Sequence, residues 1–147
     1  MKEKYFVQNI KITNKDVKYW SEQLNSNSKE KTTYELAVLG VNAIPIVEEI
    51  LFGKTKWGFP YNHQARRGAI IVLRHLGSLA FPAIKTLMKL LQEDNETICI
   101  EAIQAIGSIG KDAKEALPIL ESCCKHTYSN SIPNEAIKAI EKIKVNL

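Results

Sequence analysis

The stretch AIQAIGSIGKDAKEALP, residues 102–118, contains the pattern that decides the fold: an apolar run, a glycine and then an Ala-x-Pro tripeptide. Three copies of the tripeptide occur at intervals of 37 and 36 residues: Ala43-Ile44-Pro45, Ala80-Phe81-Pro82 and Ala116-Leu117-Pro118. A glycine precedes each copy, at Gly40, Gly77 and Gly110. A fixed period in this range is typical of solenoids built from stacked supersecondary units. We therefore expect repeats rather than one pocket with converging catalytic groups.

Each repeat unit is predicted to be a helix, a glycine turn and a second helix that starts at proline. Before each glycine, apolar residues recur three and four positions apart, which places them on one helical stripe. A glycine after such a stripe can adopt the left-handed conformation that ends a helix. Proline is tolerated in the first turn of the next helix because its missing N–H would have no partner there.

A residue that can cap a helix N-terminus occurs at the start of each unit, with nearly the same spacing as the tripeptides. The candidates are Asn25, Asn62, Asn95 and Ser129, at spacings of 37, 33 and 34 residues. Asparagine and serine side chains accept a hydrogen bond from an otherwise unpaired N–H of the first helical turn. The tripeptides and the cap candidates recur with nearly the same period, so chance is a poor explanation for the repeat.

The quoted stretch resembles HEAT repeats, in the short form of the phycobilisome-lyase-like HEAT proteins, whose pattern is Ala-Leu-Gly, Ile-Gly, Ala-x-Pro. The resemblance covers about residues 25–147. The first two copies depart from it, with Ala37 and Arg74 where the first glycine usually lies. The arginine that the family places between repeats is matched by Arg66 alone, since Lys29 and Cys99 occupy the equivalent positions. The resemblance implies an all-α fold, a right-handed α-solenoid of stacked antiparallel helix pairs with about 3–4 HEAT-like repeats.

We expect a single HEAT-like helical-repeat domain over residues 1–147. Residues 1–24 form a lead-in and an N-terminal capping helix, residues 25–53, 62–92 and 95–126 form the repeats, and residues 129–147 form a C-terminal capping helix. In the lead-in, the apolar residues at positions 5, 7, 10 and 12 could form a short strand or cover the first helix. A terminal unit must cap the core, which is the role expected of the helix over 16–24.

Composition indicates an ordinary globular domain, with 45% apolar and 24% charged residues and a net charge of +4. Its apolar runs are too short for a membrane helix, and the N-terminal residues MKEKYFVQ lack the apolar core of a signal peptide. The three cysteines give an odd number without the spacing of a disulfide framework. We therefore expect a cytoplasmic protein that does not bind membranes and is a monomer when free.

The longest segment without helical periodicity, Gly53–Tyr61, combines basic and aromatic residues. From Ile50 to Gln92 there is no Asp or Glu, while the same span holds every arginine of the chain. Functional residues favour loops held by a rigid scaffold. We predict a partner-binding surface made of Lys54, Lys56, Trp57, Phe59, Tyr61, His63, Arg66, Arg67, Lys85 and Lys89. A structural interpretation stays open, in which the aromatic rings fill the groove between repeats and Arg66 braces adjacent helices.

A protein partner is the function class that this pattern favours. Stacked helix pairs form an extended concave surface, expected to be lined by the second helices, which suits another protein. Small HEAT-like proteins include bacterial immunity proteins that neutralise a cognate toxin, often a nuclease, so the resemblance implies that possibility here. Nucleic acid is the alternative, through phosphate neutralisation and base stacking on Trp57 or Tyr61, although the charge is modest for such a binder.

An enzyme is not expected. Residues 123–126, Cys-Cys-Lys-His, lack the two-to-four-residue gap between cysteines that zinc sites prefer, and adjacent helical cysteines point about 100° apart. No glycine-rich phosphate loop is present, because residues 107–110 end a helix whereas such a loop opens one. Chromophore-lyase activity is a distant alternative that rests on the family name. We expect no catalytic residue, no metal and no cofactor.

Overall fold

A computed structural model describes residues 13–27, 29–125 and 128–145. Within these ranges the chain forms eight α-helices: α1 (Asn14–Leu24), α2 (Lys29–Ala37), α3 (Ile44–Phe52), α4 (His63–Leu76), α5 (Ile84–Leu90), α6 (Glu96–Ile109), α7 (Leu117–Cys123) and α8 (Ser131–Lys144). Three 3₁₀ turns, Gly40–Ala43, Gly77–Ala83 and Gly110–Ala116, join the helices within each pair. The predicted lead-in at 1–12 and the histidine at position 126 lie outside the described residues.

The glycine turns have the predicted positive φ, but Gly77 and Gly110, with ψ angles of −127° and −144°, lie outside the left-handed helical region. Gly40, Gly77 and Gly110 have φ angles of 61°, 56° and 79°, a region that residues with a Cβ rarely adopt. Pro45 and Pro118 lie in the first turn of α3 and α7, as expected. Pro82 instead lies inside a 3₁₀ turn that continues to Ala83, where its fixed φ is also compatible with the backbone.

Two of the predicted caps are confirmed. The Asn62 side chain accepts a hydrogen bond from the backbone N–H of Ala65 at 2.9 Å, and Asn95 accepts one from Ile98 at 3.1 Å. The prediction for Asn25 is wrong, because Asn25 ends α1 and donates its own N–H to the Ser21 carbonyl at 3.2 Å.

The cap predicted at Ser129 is displaced by one residue. Asn130 directly precedes α8 and makes no side-chain cap hydrogen bond. The hydroxyl of Ser129 still accepts from the N–H of Ser131 at 3.2 Å, so the serine satisfies a free donor of the first turn.

The helices form two rows. Helices α2, α4, α6 and α8 lie side by side, and each contacts the next along its length. In the second row α1, α3, α5 and α7 each pack against the following helix of the first row. One continuous hydrophobic core runs from Val17 in α1 to Ile143 in α8. The architecture is therefore a small α-solenoid, as predicted.

The helices of the first row, α2, α4, α6 and α8, pack more closely on one another than the helices of the second row do. Gly107 shows the closeness, because a Cβ built there would lie 3.2 Å from Ala139 of α8. Helices α3, α5 and α7 make few close contacts with one another. That the second helices line a concave surface remains a prediction.

The segment His63–Leu90 is helical over 28 residues and, by length and composition alone, is apolar enough to cross a membrane, with a mean hydropathy of 1.3 in its best window. In the fold it consists of α4 and α5, separated by the turn that starts at Gly77. Several of its apolar residues, including Ile70, Leu73 and Leu87, are fully buried in the core. These residues form the centre of the solenoid core.

Candidate functional site

The segment between α3 and α4 forms an ordered turn, called here the aromatic turn (residues 54–60). The Thr55 N–H donates to the Phe59 carbonyl at 2.8 Å, and the Gly58 N–H donates to the Thr55 carbonyl at 2.9 Å. Gly58 has a φ of 81°, which the turn requires and a glycine supplies without strain. An isolated antiparallel bridge pairs Lys54 with Pro60 across its base. The backbone of the turn is therefore fixed by its own hydrogen bonds.

Large aromatic rings project from this turn. Trp57 is 74% exposed and Phe59 is 70% exposed, so neither fills the groove between repeats. The Lys56 ammonium lies 4.8 Å from the centroid of the Trp57 ring, a cation–π contact. Tyr61, by contrast, is half-buried against the hydrophobic core. The structural interpretation of the aromatics therefore holds for Tyr61 alone among these three.

Two lysines of α5 lie near the end of α3 and the following repeat. The Lys89 ammonium lies 5.9 Å from the ring of Phe52, a half-exposed residue directly before the aromatic turn. Lys85 forms an ion pair with Glu115 of the third 3₁₀ turn. Lys89 can thus extend the basic surface beside the turn, while the charge of Lys85 is partly neutralised within the protein.

Arg66 connects three segments of the chain. Its Nε donates to the Leu51 carbonyl at 3.1 Å, and its two terminal nitrogens donate to the Glu93 carboxylate at 3.1 and 2.5 Å. The side chain is 17% exposed. A bidentate pair of this kind fixes geometry as well as charge. These contacts support the interpretation of Arg66 as a brace between the end of α3 and the segment after α5; a role in binding remains a prediction.

Arg67, the next residue, points to the other side of α4. Its guanidinium donates to Oε1 of Glu101 in α6 at 2.8 Å, and Arg74 donates to Oε2 of the same carboxylate at 3.3 Å. Glu101 itself is buried. The structure therefore does not bring the ten predicted residues onto one face. Lys89 lies beside the aromatic turn, Lys85 is paired with Glu115, and Arg67 is paired with Glu101 of α6. His63 is exposed at the start of α4.

Arg67 and Arg74 line an open groove of about 420 Å³ between α2, α4 and α6, called here the concave groove. Tyr34 of α2 stacks on His75 of α4 across it, with ring centroids 4.6 Å apart. Partial burial, and then the neighbouring Arg74 charge, lowers the pKa of His75. Tyr34, Arg74 and His75 are not among the site residues predicted from the sequence. The sequence feature that could have indicated this groove is Arg74, which occupies a position where the repeat pattern has glycine.

The cysteines do not form a reactive site. Cys99 is buried, with its sulfur 3.2 Å from the Glu93 carbonyl, and burial raises the pKa of its thiol. Burial also raises the pKa of Cys123, with further contributions from Cys99 and Cys124. A raised pKa favours the thiol over the nucleophilic thiolate. Within residues 13–27, 29–125 and 128–145, no three His, Cys, Asp or Glu side chains are grouped to hold a metal ion.

Comparison with known proteins agrees with the architecture. The sequence profile of a family described as HEAT repeats matches residues 61–141, more than half of the chain. The match begins at the segment before α4 and ends within α8, so it covers the best-formed part of the two-row stack. A search of curated proteins finds no significant match. The glycine turns, the paired helices and this match together show that the chain belongs to the HEAT-repeat family.

Proposed function

We propose that this chain is a non-catalytic protein-binding module, as HEAT repeats generally are, and that its aromatic turn is the main contact. The observation that carries the proposal is the exposure of Trp57 and Phe59 on a backbone that is already hydrogen-bonded. Exposed aromatic clusters of this kind mark interaction surfaces, and tryptophan is enriched among the residues that dominate binding energy. A fixed turn also loses little conformational entropy on binding.

The charge around the turn indicates an acidic partner. Lys54 and Lys56 precede Trp57 in the turn, and Lys89 lies beside Phe52. No Asp or Glu occurs from Ile50 to Gln92, and the Glu49 carboxylate lies beside Gly53 at the base of the turn. Complementary charge steers association and selects partners more than it adds affinity. An acidic protein surface with an apolar depression for the Trp57 ring is the partner chemistry that fits.

We further propose that the partner is a toxin domain, in particular a nuclease, and that the chain acts in the bacterial cytoplasm as its immunity protein. Support comes from the resemblance to small HEAT-like immunity proteins and from the basic aromatic surface. Such a protein neutralises the toxin by covering its active site, which requires a preformed docking surface and no catalytic groups of its own.

The test uses the product of the neighbouring reading frame as the candidate partner. The two proteins are mixed, their complex is isolated by gel filtration, and the Kd is measured by calorimetry. We expect Trp57→Ala with Phe59→Ala to weaken binding by about a hundredfold, because each ring is a candidate hot spot. Tyr128→Ala is the matched control, since this tyrosine is 96% exposed between α7 and α8. An unchanged Kd for the double variant would contradict the role of the turn.

A nucleic acid is the second candidate, favoured by the lysines next to two exposed rings. Single-stranded nucleic acid binds to such surfaces by stacking bases on aromatic rings and neutralising phosphates. Affinity for a single-stranded oligonucleotide would then fall steeply as salt concentration rises. Negligible binding at low salt would remove this candidate. The chromophore-lyase alternative still rests on the family name alone.

A further inference from the structure

The concave groove contains arginine donors that the protein itself does not satisfy. Both described hydrogen bonds of Arg74 come from one terminal nitrogen, which donates to Glu101 at 3.3 Å and to Gln104 at 2.5 Å. Its Nε and its other terminal nitrogen have no acceptor among the described residues, and the side chain is 36% exposed. The Nε of Arg67 is buried and also has no partner in the described part of the chain. Along this wall of the groove, Arg67 and Arg74 therefore have N–H donors without an acceptor in the described part of the protein.

The free edge of Arg74 has the geometry of a carboxylate site. A guanidinium presents its Nε and one terminal nitrogen as a planar fork that pairs with both oxygens of a carboxylate. In Arg74 this edge is open, whereas the edge toward Glu101 is occupied. Glu101 is held between two arginines, one on each oxygen, so it already acts as the internal anion of the groove.

The remaining wall provides apolar and aromatic contacts. Tyr34 and His75 stack on each other at the rim, and Ile71 lies half-buried along α4. The groove is open and runs between three helices, so it suits an extended chain better than a compact small molecule. Side-chain stems of such a chain can lie on these residues while its carboxylate reaches Arg74.

We propose that the concave groove binds an acidic, extended peptide segment of a protein partner, with one carboxylate on the free edge of Arg74 and with Glu101 as an internal competitor. The site lies between α2, α4 and α6 and is separate from the aromatic turn. It therefore goes beyond the proposed function and does not depend on it.

The charges of the groove select a carboxylate-bearing peptide over a polyphosphate chain. The cations Lys29, Arg67 and Arg74 line it together with the anions Glu30 and Glu101. Two carboxylates in the wall repel the closely spaced phosphates of a nucleic acid. A peptide can place its acidic side chains at Arg74 and keep neutral groups near Glu30.

The test measures, by fluorescence anisotropy, binding of a fluorescein-labelled, C-terminally amidated hexapeptide with one glutamate among glycines and serines. The same peptide with glutamine in place of the glutamate is the reference. We expect the acidic peptide to bind at least about tenfold more tightly than the reference. Arg74→Gln should weaken the acidic peptide by about tenfold, because a charge-assisted bidentate pair is lost. Glu101→Gln should strengthen it by about tenfold, because the internal competitor loses its charge.

The matched control is Lys111→Gln, which also removes one positive charge but lies exposed in the turn Gly110–Ala116, outside the groove. We expect it to change the affinity by less than about twofold, since attraction between distant exposed charges is largely screened by salt. Circular dichroism checks that each variant is folded. As a measurement that needs no variant, the peptide should shift the NMR signals of Tyr34, Arg74 and His75 in the unmodified protein.

Three results would overturn the proposal: equal losses for Arg74→Gln and Lys111→Gln, no gain for Glu101→Gln, or no NMR shift in the groove. Tighter binding of an oligothymidylate that depends equally on Arg74 would overturn it as well, because the ligand would then be a nucleic acid. The assay contains no partner protein, so its failure would leave the proposal for the aromatic turn unaffected.

Discussion

Arg66 and Arg67 are neighbours in the sequence but serve different parts of the structure. Arg66 points towards the end of α3 and Glu93, while Arg67 points into the concave groove towards Glu101. The difference follows from helical geometry, since successive residues of a helix point about 100° apart. A pair of adjacent arginines on a helix is therefore poor evidence for a single basic site.

Replacing Arg66 by alanine tests its role as a brace. We expect the free energy of unfolding to fall by about 2 kcal/mol, because a half-buried bidentate pair and a hydrogen bond to Leu51 are lost. Urea denaturation measures the change, with Lys54→Ala as an exposed control expected to stay within about 0.5 kcal/mol. An Arg66→Ala protein as stable as the control would show that the contacts contribute nothing to stability.

His75 should titrate below the ordinary histidine value of 6.5, because burial and the Arg74 charge disfavour its protonated form. The unfolded chain then binds more protons than the native state in the window below about pH 6.5. The contribution of His75 to stability is therefore full above that pH and is lost as the pH falls through the folded pKa. NMR titration of the ring measures the folded value. Arg74→Gln should raise it, and a native pKa at or above 6.5 would contradict the explanation.

Among the secondary-structure elements, the glycine turns set the ends of the first helices. Gly110 has a φ of 79°, and a Cβ built there would meet no atom within 4 Å. Gly110→Ala should therefore cost only backbone strain, about 1–3 kcal/mol in the free energy of unfolding, because this φ combined with a ψ of −144° is a region that few residues other than glycine adopt. Thermal unfolding followed by circular dichroism measures it. A variant as stable as the unmodified protein would mean that the turn relaxes to a negative φ.

The elements could be predicted because their signals are local. The glycine turns, Pro45, Pro118 and the caps at Asn62 and Asn95 each depend on a few neighbouring residues, and all are present. The cap prediction at Asn25 was wrong because asparagine can end a helix as well as begin one. The polar residues after Asn25 are compatible with both roles. The close packing of the first row was not predictable, because the spacing between stacked helices is not encoded in the period of the repeat.

The candidate site was only partly predictable for the same reason. The aromatic turn stands out in the sequence because helical periodicity stops there, but the exposure of Trp57 and Phe59 depends on where α3 and α4 direct the segment. The concave groove joins residues of α2, α4 and α6 that are far apart in sequence. In the sequence, Tyr34 is one residue of an apolar helical stripe. Only the fold shows that its ring stacks on His75.

For the entire solenoid, stability comes from burial between stacked units. Leu76 and Leu39 hold equivalent positions, each directly before a turn glycine, but Leu76 is 8% exposed and Leu39 is 41% exposed. Leu76→Asp should unfold the protein, because it places an unpaired charge in the core, whereas Leu39→Asp should leave it folded. Circular dichroism at room temperature compares the two. A helical, cooperatively melting Leu76→Asp protein would count against the assigned core.

If the rings of the aromatic turn are held for a partner and not for the fold, removing them should leave the stability of the protein nearly unchanged. The most direct test is the free energy of unfolding of Trp57→Ser with Phe59→Ser, measured by urea denaturation without any partner present. We expect it to lie within about 1 kcal/mol of the unmodified protein, because both rings are mostly exposed and exposed substitutions change stability little. A loss of about 3 kcal/mol or more, the range of buried aromatic residues, would show that the rings pack in the native protein and would contradict the claim.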